Sequence, residues 1–471
     1  MTNSTNDTAP TAEQQLALFI VTAEVSAETR RTARRYLLDW LGATIAGGEM
    51  RPASLIREVI NELGGHSQAT VIATGDRTSV PLAAFANAAA SHVLEMDDLD
   101  PGSIYHPAAP TVAAALAVGE QLSIDGDALL DSIAIGYEVG IRIGEALGPT
   151  HYDFWHTTGT AGTFGAAAAA ARLYGLDASQ TIQALGSAGT MTAGLWEFLV
   201  DGAMSKQLHP AKAAHDGIMA TLLAKQGFTS ASRILDGDKG LLAAMSREPA
   251  PEHLTDGLAS DMAAWRISGV AFKIHAACRH THSAVDAALN LRKTHSITTD
   301  QIEHVHVRIY SQALGLLDRM EPTTPYAAKF SLPFCIASAL IYGDLGLARF
   351  SEITIREQLT LDLVDRISFE TDPALDSLYP ETWPSVVTIT LRDGTSVTDR
   401  VDFPAGDIRA GVNNDDLIAK FVGMTSAQLA RDASSIAKRV LNTEPTLTAK
   451  EIVQVLRIGG IPHASGTARR G

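Results

Sequence analysis

Residues Thr32–Ile45 read TARRYLLDWLGATI, and residues Gly159–Tyr174 read GTAGTFGAAAAAARLY. In the first, Tyr36, Leu37, Trp40, Leu41 and Ile45 recur at helical spacing, and Gly47-Gly48 supplies a stop. In the second the apolar content is almost all alanine, with glycine as punctuation. Small side chains let helices approach closely, so such a helix belongs inside a bundle, buried on most sides. The same character recurs at Pro81–Met96, Ala109–Leu122, Asp127–Leu147, Ala178–Leu195 and Ala211–Gln226. Together these segments predict a helical domain over residues 13–268.

After about Gly269 the pattern changes. Ile302–Tyr310 (IEHVHVRIY) alternates like a strand, and Pro384–Leu391 and Ser396–Val401, joined by Arg392-Asp393-Gly394-Thr395, read as a hairpin with Asp-Gly as its turn signal. Tyr326–Tyr342 and Ile353–Leu363 read as helices between them. Residues 269–405 are therefore expected to form a smaller α+β domain. Helices return over 406–461, at Asn414–Val422, Ser426–Ala437 and Thr448–Leu456, while 1–12 and 462–471 read as a disordered lead and a loose tail. The predicted fold class is mainly α with an α+β part: a large all-helical domain made from both chain ends, with an α+β lid inserted between them.

Composition narrows the function. The chain has 471 residues, which allows roughly two to four domains. Hydrophobic residues at 46% and charged residues at 19% describe a folded chain rather than a disordered one. With Lys plus Arg at 37 against Asp plus Glu at 53, the net charge is −16, and no basic run offsets it. Such a surface repels phosphates, so neither nucleic acid nor an anionic membrane is expected as a partner. Cys278 and Cys335 are the two cysteines, too few for a disulfide framework or for an iron–sulfur cluster held by three or four thiolates. The polar start lacks a signal-peptide pattern, and no apolar stretch reaches about 18 residues unbroken, so a cytoplasmic protein is expected.

Four polar segments interrupt the apolar helices. His92-Val93-Leu94-Glu95-Met96-Asp97-Asp98, running on to His106-Pro107, sets acids and histidines between two helices. Neighbouring carboxylates bind a cation, cap a helix, or repel until one is raised into acid–base range. The plainer reading makes Asp98 or Asp100 the cap of the next helix. His151–Gly165 puts His156 beside a threonine- and glycine-rich helix start, whose free N–H groups suit a carboxylate; the plainer reading is a packing face. No strand precedes it and no Gly-Lys-Ser/Thr follows, which excludes a dinucleotide fingerprint and a P-loop. Ser205–Lys212 sets Lys206 and His209 ahead of Pro210 at a helix start, either facing an anion or simply solvated. Lys273–His282 holds three histidines, Cys278 and Arg279. Zinc would want a second Cys/His half-site, so an anion pocket using Lys273, Arg279 and a histidine fits better, and no metal is expected.

Taken in order, several landmarks resemble the MmgE/PrpD family of cofactor-independent 2-methylcitrate dehydratases, cis-aconitate decarboxylases and iminodisuccinate epimerases. They are Met96-Asp97-Asp98 with His106-Pro107, the Trp155-His156 to Gly165 block, Lys206 to His209-Pro210 with Ala213-Ala214 and Gly217, Phe272-Lys273 to Cys278-Arg279 and His282, Ala328-Lys329-Phe330-Ser331-Leu332-Pro333, and Arg392-Asp393-Gly394 with Pro404-Ala405-Gly406. The resemblance spans about 400 residues. It implies a helical domain with an α+β lid, a homodimer, no cofactor, and a pocket lined by Asp97, His106, His156, Lys206, Lys273 and the segment around Cys278 and His282. Two departures stand out. Leu99–Tyr105 lies where the family often has a threonine and then histidine. Cys278 stands where the decarboxylase branch has a histidine, which weighs against decarboxylation because a thiol is a different proton donor from an imidazolium.

Dehydration of a 3-hydroxy acid, decarboxylation and epimerisation beside a carboxylate all build negative charge next to a carboxylate. Each needs cations to hold that charge and a group to move one proton. The expected catalytic set is His156 as main acid/base, His106 as second proton carrier, Asp97 orienting one of them, and Lys206. Lys206, Lys273 and Arg279 are expected to grip substrate carboxylates, with Cys278, His282, His209, Thr158 and Thr160 completing the binding wall. The leading activity is a 2-methylcitrate dehydratase-like hydro-lyase on a small di- or tricarboxylic acid. An iminodisuccinate-type epimerase, a cis-aconitate-type decarboxylase and a non-catalytic carboxylate binder are the alternatives.

Overall fold

The structure is a computed structural model, and it describes residues 9–259, 261–262, 264–317, 322–429, 432–443 and 446–458. The expected lead is shorter than 1–12: Thr11 caps a helix that has begun by Ala12, and residues 1–8 lie outside the described residues, as does the tail expected over 462–471. The helices α1 (Ala12–Thr22), α2 (Ala27–Gly47) and α3 (Arg51–Leu63) come first. A two-residue ladder of β1 (Ala69–Thr70) and β2 (Arg77–Thr78) leads into α4 (Val80–His92), α5 (Ala108–Leu122), α6 (Gly126–Leu147), α7 (Thr157–Tyr174) and α8 (Ala178–Met191). A further long helix spans Leu208–Lys225.

Helix α7 runs through the middle, against α5, α6, α8 and Leu208–Lys225, and every residue from Thr157 to Ala171 is buried. Its neighbours explain the glycines. A Cβ at Gly217 would stand 2.7 Å from Thr163 O, and one at Gly136 would stand 2.7 Å from Gly165 O. Only a hydrogen lets these backbones meet. Two expected helices stop early. Helix α4 ends at His92 rather than Met96, because the next residues turn away to carry charged partners described below. Helix α8 ends at Met191 rather than Leu195, where Thr192 goes extended.

The α+β part is built on a four-stranded sheet in the order β4-β3-β5-β6. Strand β3 (Ile302–Ile309) lies parallel to β4 (Ile367–Thr371) and antiparallel to β5 (Ser385–Leu391), which pairs with β6 (Ser396–Val401) through the expected Asp-Gly turn. Val305, Val307 and Ile309 are buried on one face, as alternation requires. Helices His282–Thr294 and Leu332–Tyr342 pack against this sheet. The helix expected over Tyr326–Tyr342 is in two pieces, because Ser331 caps a fresh start at Leu332. That expected over Ile353–Leu363 begins only at Gln358.

Helices Asn414–Leu429, Ala433–Asn442 and Ala449–Ile458 return to α2 and α5, where Leu417, Phe421, Ile436 and Val453 join the first apolar core. The helical part is thus made from both ends of the chain. A second core, from Ala276 to Ile389, fills the α+β part and borrows Ala43, Val93 and Met424 from the helical side. The outgoing and returning crossings touch: Phe272 N donates to Gly406 O at 2.8 Å. Among the described residues, no helix is long and apolar enough to cross a membrane.

Candidate active site

Where α4 ends, Leu94–Asp98 forms a turn between the two cores. Glu95 adopts φ +57°, a left-handed backbone that costs a non-glycine residue roughly 1–2 kcal/mol and is found where surrounding contacts over-determine it. Those contacts are cations. Lys206 Nζ donates to Glu95 Oε1 at 2.5 Å, Lys273 Nζ to Oε2 at 3.3 Å, and the Tyr326 hydroxyl to Oε1 at 3.3 Å. Burial opposes ionisation of Glu95, but Lys206 and Lys273 outweigh it and hold the carboxyl below its ordinary value. Lys206 comes from the short turn Met204–Gln207 ahead of Leu208–Lys225, and Lys273 from the crossing into the α+β part. Burial pulls the Lys273 ammonium below its usual value, against the opposing charge of Glu95.

Behind Glu95 the next acid organises histidines. Asp97 Oδ2 lies 2.6 Å from His92 Nδ1 and 3.3 Å from His106 Nδ1, all buried. Burial again works against the carboxylate, and His92 and His106 overcome it, so Asp97 stays well below the normal range. His106 Nδ1 also lies 2.6 Å from Asp98 O. A carbonyl only accepts, so Nδ1 carries the hydrogen and Nε2 keeps the lone pair. Burial brings His106 down to about 4, which leaves it neutral at pH 7. His92, Asp97 and His106 are the group, among the described residues, whose atoms also cluster as a cation would need. With its Nδ1 hydrogen on Asp98 O, His106 has no lone pair there to offer one.

His156 precedes the first turn of α7, and its ring lies 6.1 Å from that of His106 and 4.9 Å from Trp196. His156 Nδ1 sits 3.0 Å from His209 Nδ1, while its buried Nε2 has no hydrogen-bond partner among the described residues. Burial first, then His209 and Lys206, push His156 well below its ordinary value. It too is an uncharged base.

One cavity gathers most of the expected residues. His106, His156, Lys206, Lys273, Cys278 and Arg279 line it together with Glu95, Tyr152, Trp196, His280 and Trp383. It is nearly closed: its open volume is about 20 Å³, room for little more than one water. Cys278 is kept a neutral thiol by burial, against the pull of Lys273 and Lys206. Arg279 reaches the wall already engaged, with Phe272 O and Ala405 O each at 3.3 Å and Asp407 at 3.6 Å. It therefore ties the two crossings together while still lining the cavity in which a substrate carboxylate was expected to meet it.

The rest of the expected wall stands behind. Asp97 and His209 hold the lining histidines, and Thr158 Oγ1 accepts the His106 N–H at 3.2 Å. Thr160 is turned to His151, whose Nε2 lies 2.9 Å from Thr160 Oγ1, and His282 faces Ala277 O at 3.2 Å beside the His275 ring. His209, Thr158, Thr160 and His282 are absent from the cavity lining, and each makes a hydrogen bond to the supporting structure. Glu95 was visible in the acidic run but not singled out; Tyr326, Trp196 and Trp383 gave no sequence signal for the site.

Comparisons with known proteins agree with this architecture. Residues 14–254 match the family model of the MmgE/PrpD N-terminal domain, and residues 275–443 that of the MmgE/PrpD C-terminal domain. A cis-aconitate decarboxylase of Homo sapiens is 28% identical over 463 residues, covering 93% of this chain and 92% of that protein. A cis-aconitate decarboxylase of Aspergillus terreus is 25% identical, covering 85% of this chain and 86% of its own length. A cis-aconitate decarboxylase-like protein of Aspergillus oryzae is 23% identical, covering 92% and 94%.

Proposed function

The chain belongs to the MmgE/PrpD family, and from that premise we propose that it is a cofactor-independent lyase of small tricarboxylic acids, a hydro-lyase of the 2-methylcitrate type. The observation that carries this reading is two neutral histidines, with ring centres 6.1 Å apart, on the wall of a small cavity that also holds Lys206 and Lys273. A neutral imidazole accepts a proton. In the proposed reaction His156 takes the proton beside a substrate carboxylate, and the lysines hold the charge that develops. The C–O bond then breaks, and the proton returns through the paired imidazoles to the leaving hydroxyl, giving water and an alkene. Glu95 keeps the lysines paired until substrate carboxylates compete for them.

A second reading is favoured by the names of the relatives. A carboxy-lyase acting on a cis-aconitate-like acid would lose carbon dioxide and need one proton for the resulting carbanion, which the neutral Cys278 thiol could deliver. Citrate, methylcitrate, cis-aconitate and iminodisuccinate, followed by absorbance, carbon dioxide release and deuterium uptake, separate the two readings from epimerisation. On the acid that is turned over, His156→Ala is expected to lower kcat by about 10²–10⁴. A folded variant with near-normal kcat would remove His156 from the acid/base role. We read the protein further as a homodimer, following the family resemblance; light scattering tests the dimer.

A further inference from the structure

The Leu94–Asp98 turn is gripped by its backbone at alternate residues. Lys329 Nζ donates to Leu94 O at 2.7 Å and to Ala276 O at 2.8 Å. Lys420 Nζ donates to Met96 O at 2.7 Å and pairs with Asp39 Oδ1 at 2.5 Å. His106 Nδ1 completes the row on Asp98 O at 2.6 Å. The carbonyls of 94, 96 and 98 are thus each anchored, while the side chains of 95 and 97 between them serve the cavity. The anchors come from distant places: Lys329 from the α+β part, Lys420 from the returning helix Asn414–Leu429, and His106 from the approach to α5.

The side chains of Leu94 and Met96 are buried in the second core. Met96 and Lys420 border a second cavity of about 600 Å³, shared with Ile274 and Met424. Beside that cavity the turn, with its left-handed Glu95, is held by polar mounts as well as by the core. The mounts are also costly. Lys329 is 4% exposed, is brought by burial to about 7 and, among the described residues, makes no ion pair, so its head group rests on two backbone carbonyls and on the Phe350 ring, 4.7 Å away.

We infer that Lys329 and Lys420 are positioning residues: by fixing the carbonyls of Leu94 and Met96 they set Glu95 between the two cavity lysines and Asp97 between its two histidines. The inference rests on the lyase reading for what the site does, and its geometry stands apart from that reading. A displacement near 1 Å at a catalytic group costs about 10²-fold in rate.

The test is Lys420→Met and Lys329→Met, with Lys420→Arg as the conservative partner, each first shown to be folded by urea unfolding. Two readouts are taken: kcat and KM on the acid that the wild type turns over, and ¹⁵N signals of the histidine rings, with His106→Gln for assignment. The expected result is a fall in kcat of about 10–100-fold with KM within about threefold, substantial recovery in Lys420→Arg, and altered His92 and His106 ring signals. Unchanged ring signals overturn the inference whatever the rates do, and so does a loss confined to KM. Should Lys420→Met not fold, Asp39→Asn and Lys420→Arg carry the same two readouts. If the wild type turns over none of the acids, the lyase reading fails, and the ring signals alone decide the positioning role.

Discussion

The body of α7 and the Leu94–Asp98 turn are equally dry, yet opposite forces hold them. Around α7, alanine and glycine let backbones touch, and the energy is dispersion and burial spread over many small contacts. At the turn, an acid in a left-handed backbone is fixed by two ammonium groups, and a second acid by two imidazoles. The first region is sensitive to volume and indifferent to charge. The second is sensitive to charge, and its Met96 borders a cavity of about 600 Å³. A function that must hold a polyanion can be placed only in the second.

The largest effect should come from removing the charge that quiets the lysines. Glu95→Gln leaves Lys206 and Lys273 buried without their counter-ion and is expected to cost about 3–5 kcal/mol in urea unfolding. Added citrate should restore part of that in Glu95→Gln and stabilise the wild type less, since bound ligand shifts the folding equilibrium. Equal citrate effects on the two proteins would break the contrast. A smaller cost is expected from volume alone. Gly217→Ala forces a methyl against Thr163 O and Ala166 and should cost about 1–3 kcal/mol, with the citrate response unaltered.

The smallest effect is in pH. His151, beside the start of α7, is brought by burial to about 4. Between pH 6.5 and about 4 the unfolded chain binds this proton and the folded chain does not. The stability it contributes is therefore complete above pH 6.5 and is lost as pH falls towards 4. Asp100, raised by burial to about 6, titrates in the opposite sense, so the difference between variants is the useful reading. From pH 6 to 5, His151→Gln should lose about 1 kcal/mol less than the wild type. Parallel pH curves would overturn the assignment.

Much of the α7 region could be read from the chain, because helical spacing and small residues are local signals. The hairpin was likewise legible through Asp393-Gly394. Strand β4 was missed since only Ile367 of its five residues is buried, which leaves no alternation to see. The end of α4 was overshot because Val93, Leu94 and Met96 continue an apolar pattern that only tertiary partners interrupt. In the site, His106, His156, Lys206 and Lys273 stood out as ionisable groups against apolar helices. Glu95 did not, because its partners lie 111 and 178 residues away and no local pattern joins them. Thr160 and His282 showed the converse: their residue type suited the chemistry, while their orientation was set by neighbours His151 and Ala277.

The paired crossings at Phe272 and Gly406 have a mechanical meaning. A block of chain whose two attachments are bonded side by side cannot slide off its base, and the shared second core and Lys329 on Leu94 O hold it further. The nearly closed cavity must widen to admit an acid larger than one water, and the bonded crossings keep the two parts in register beside it. Arg279, bonded to Phe272 O and Ala405 O beside that spot, joins the cavity wall to the crossings.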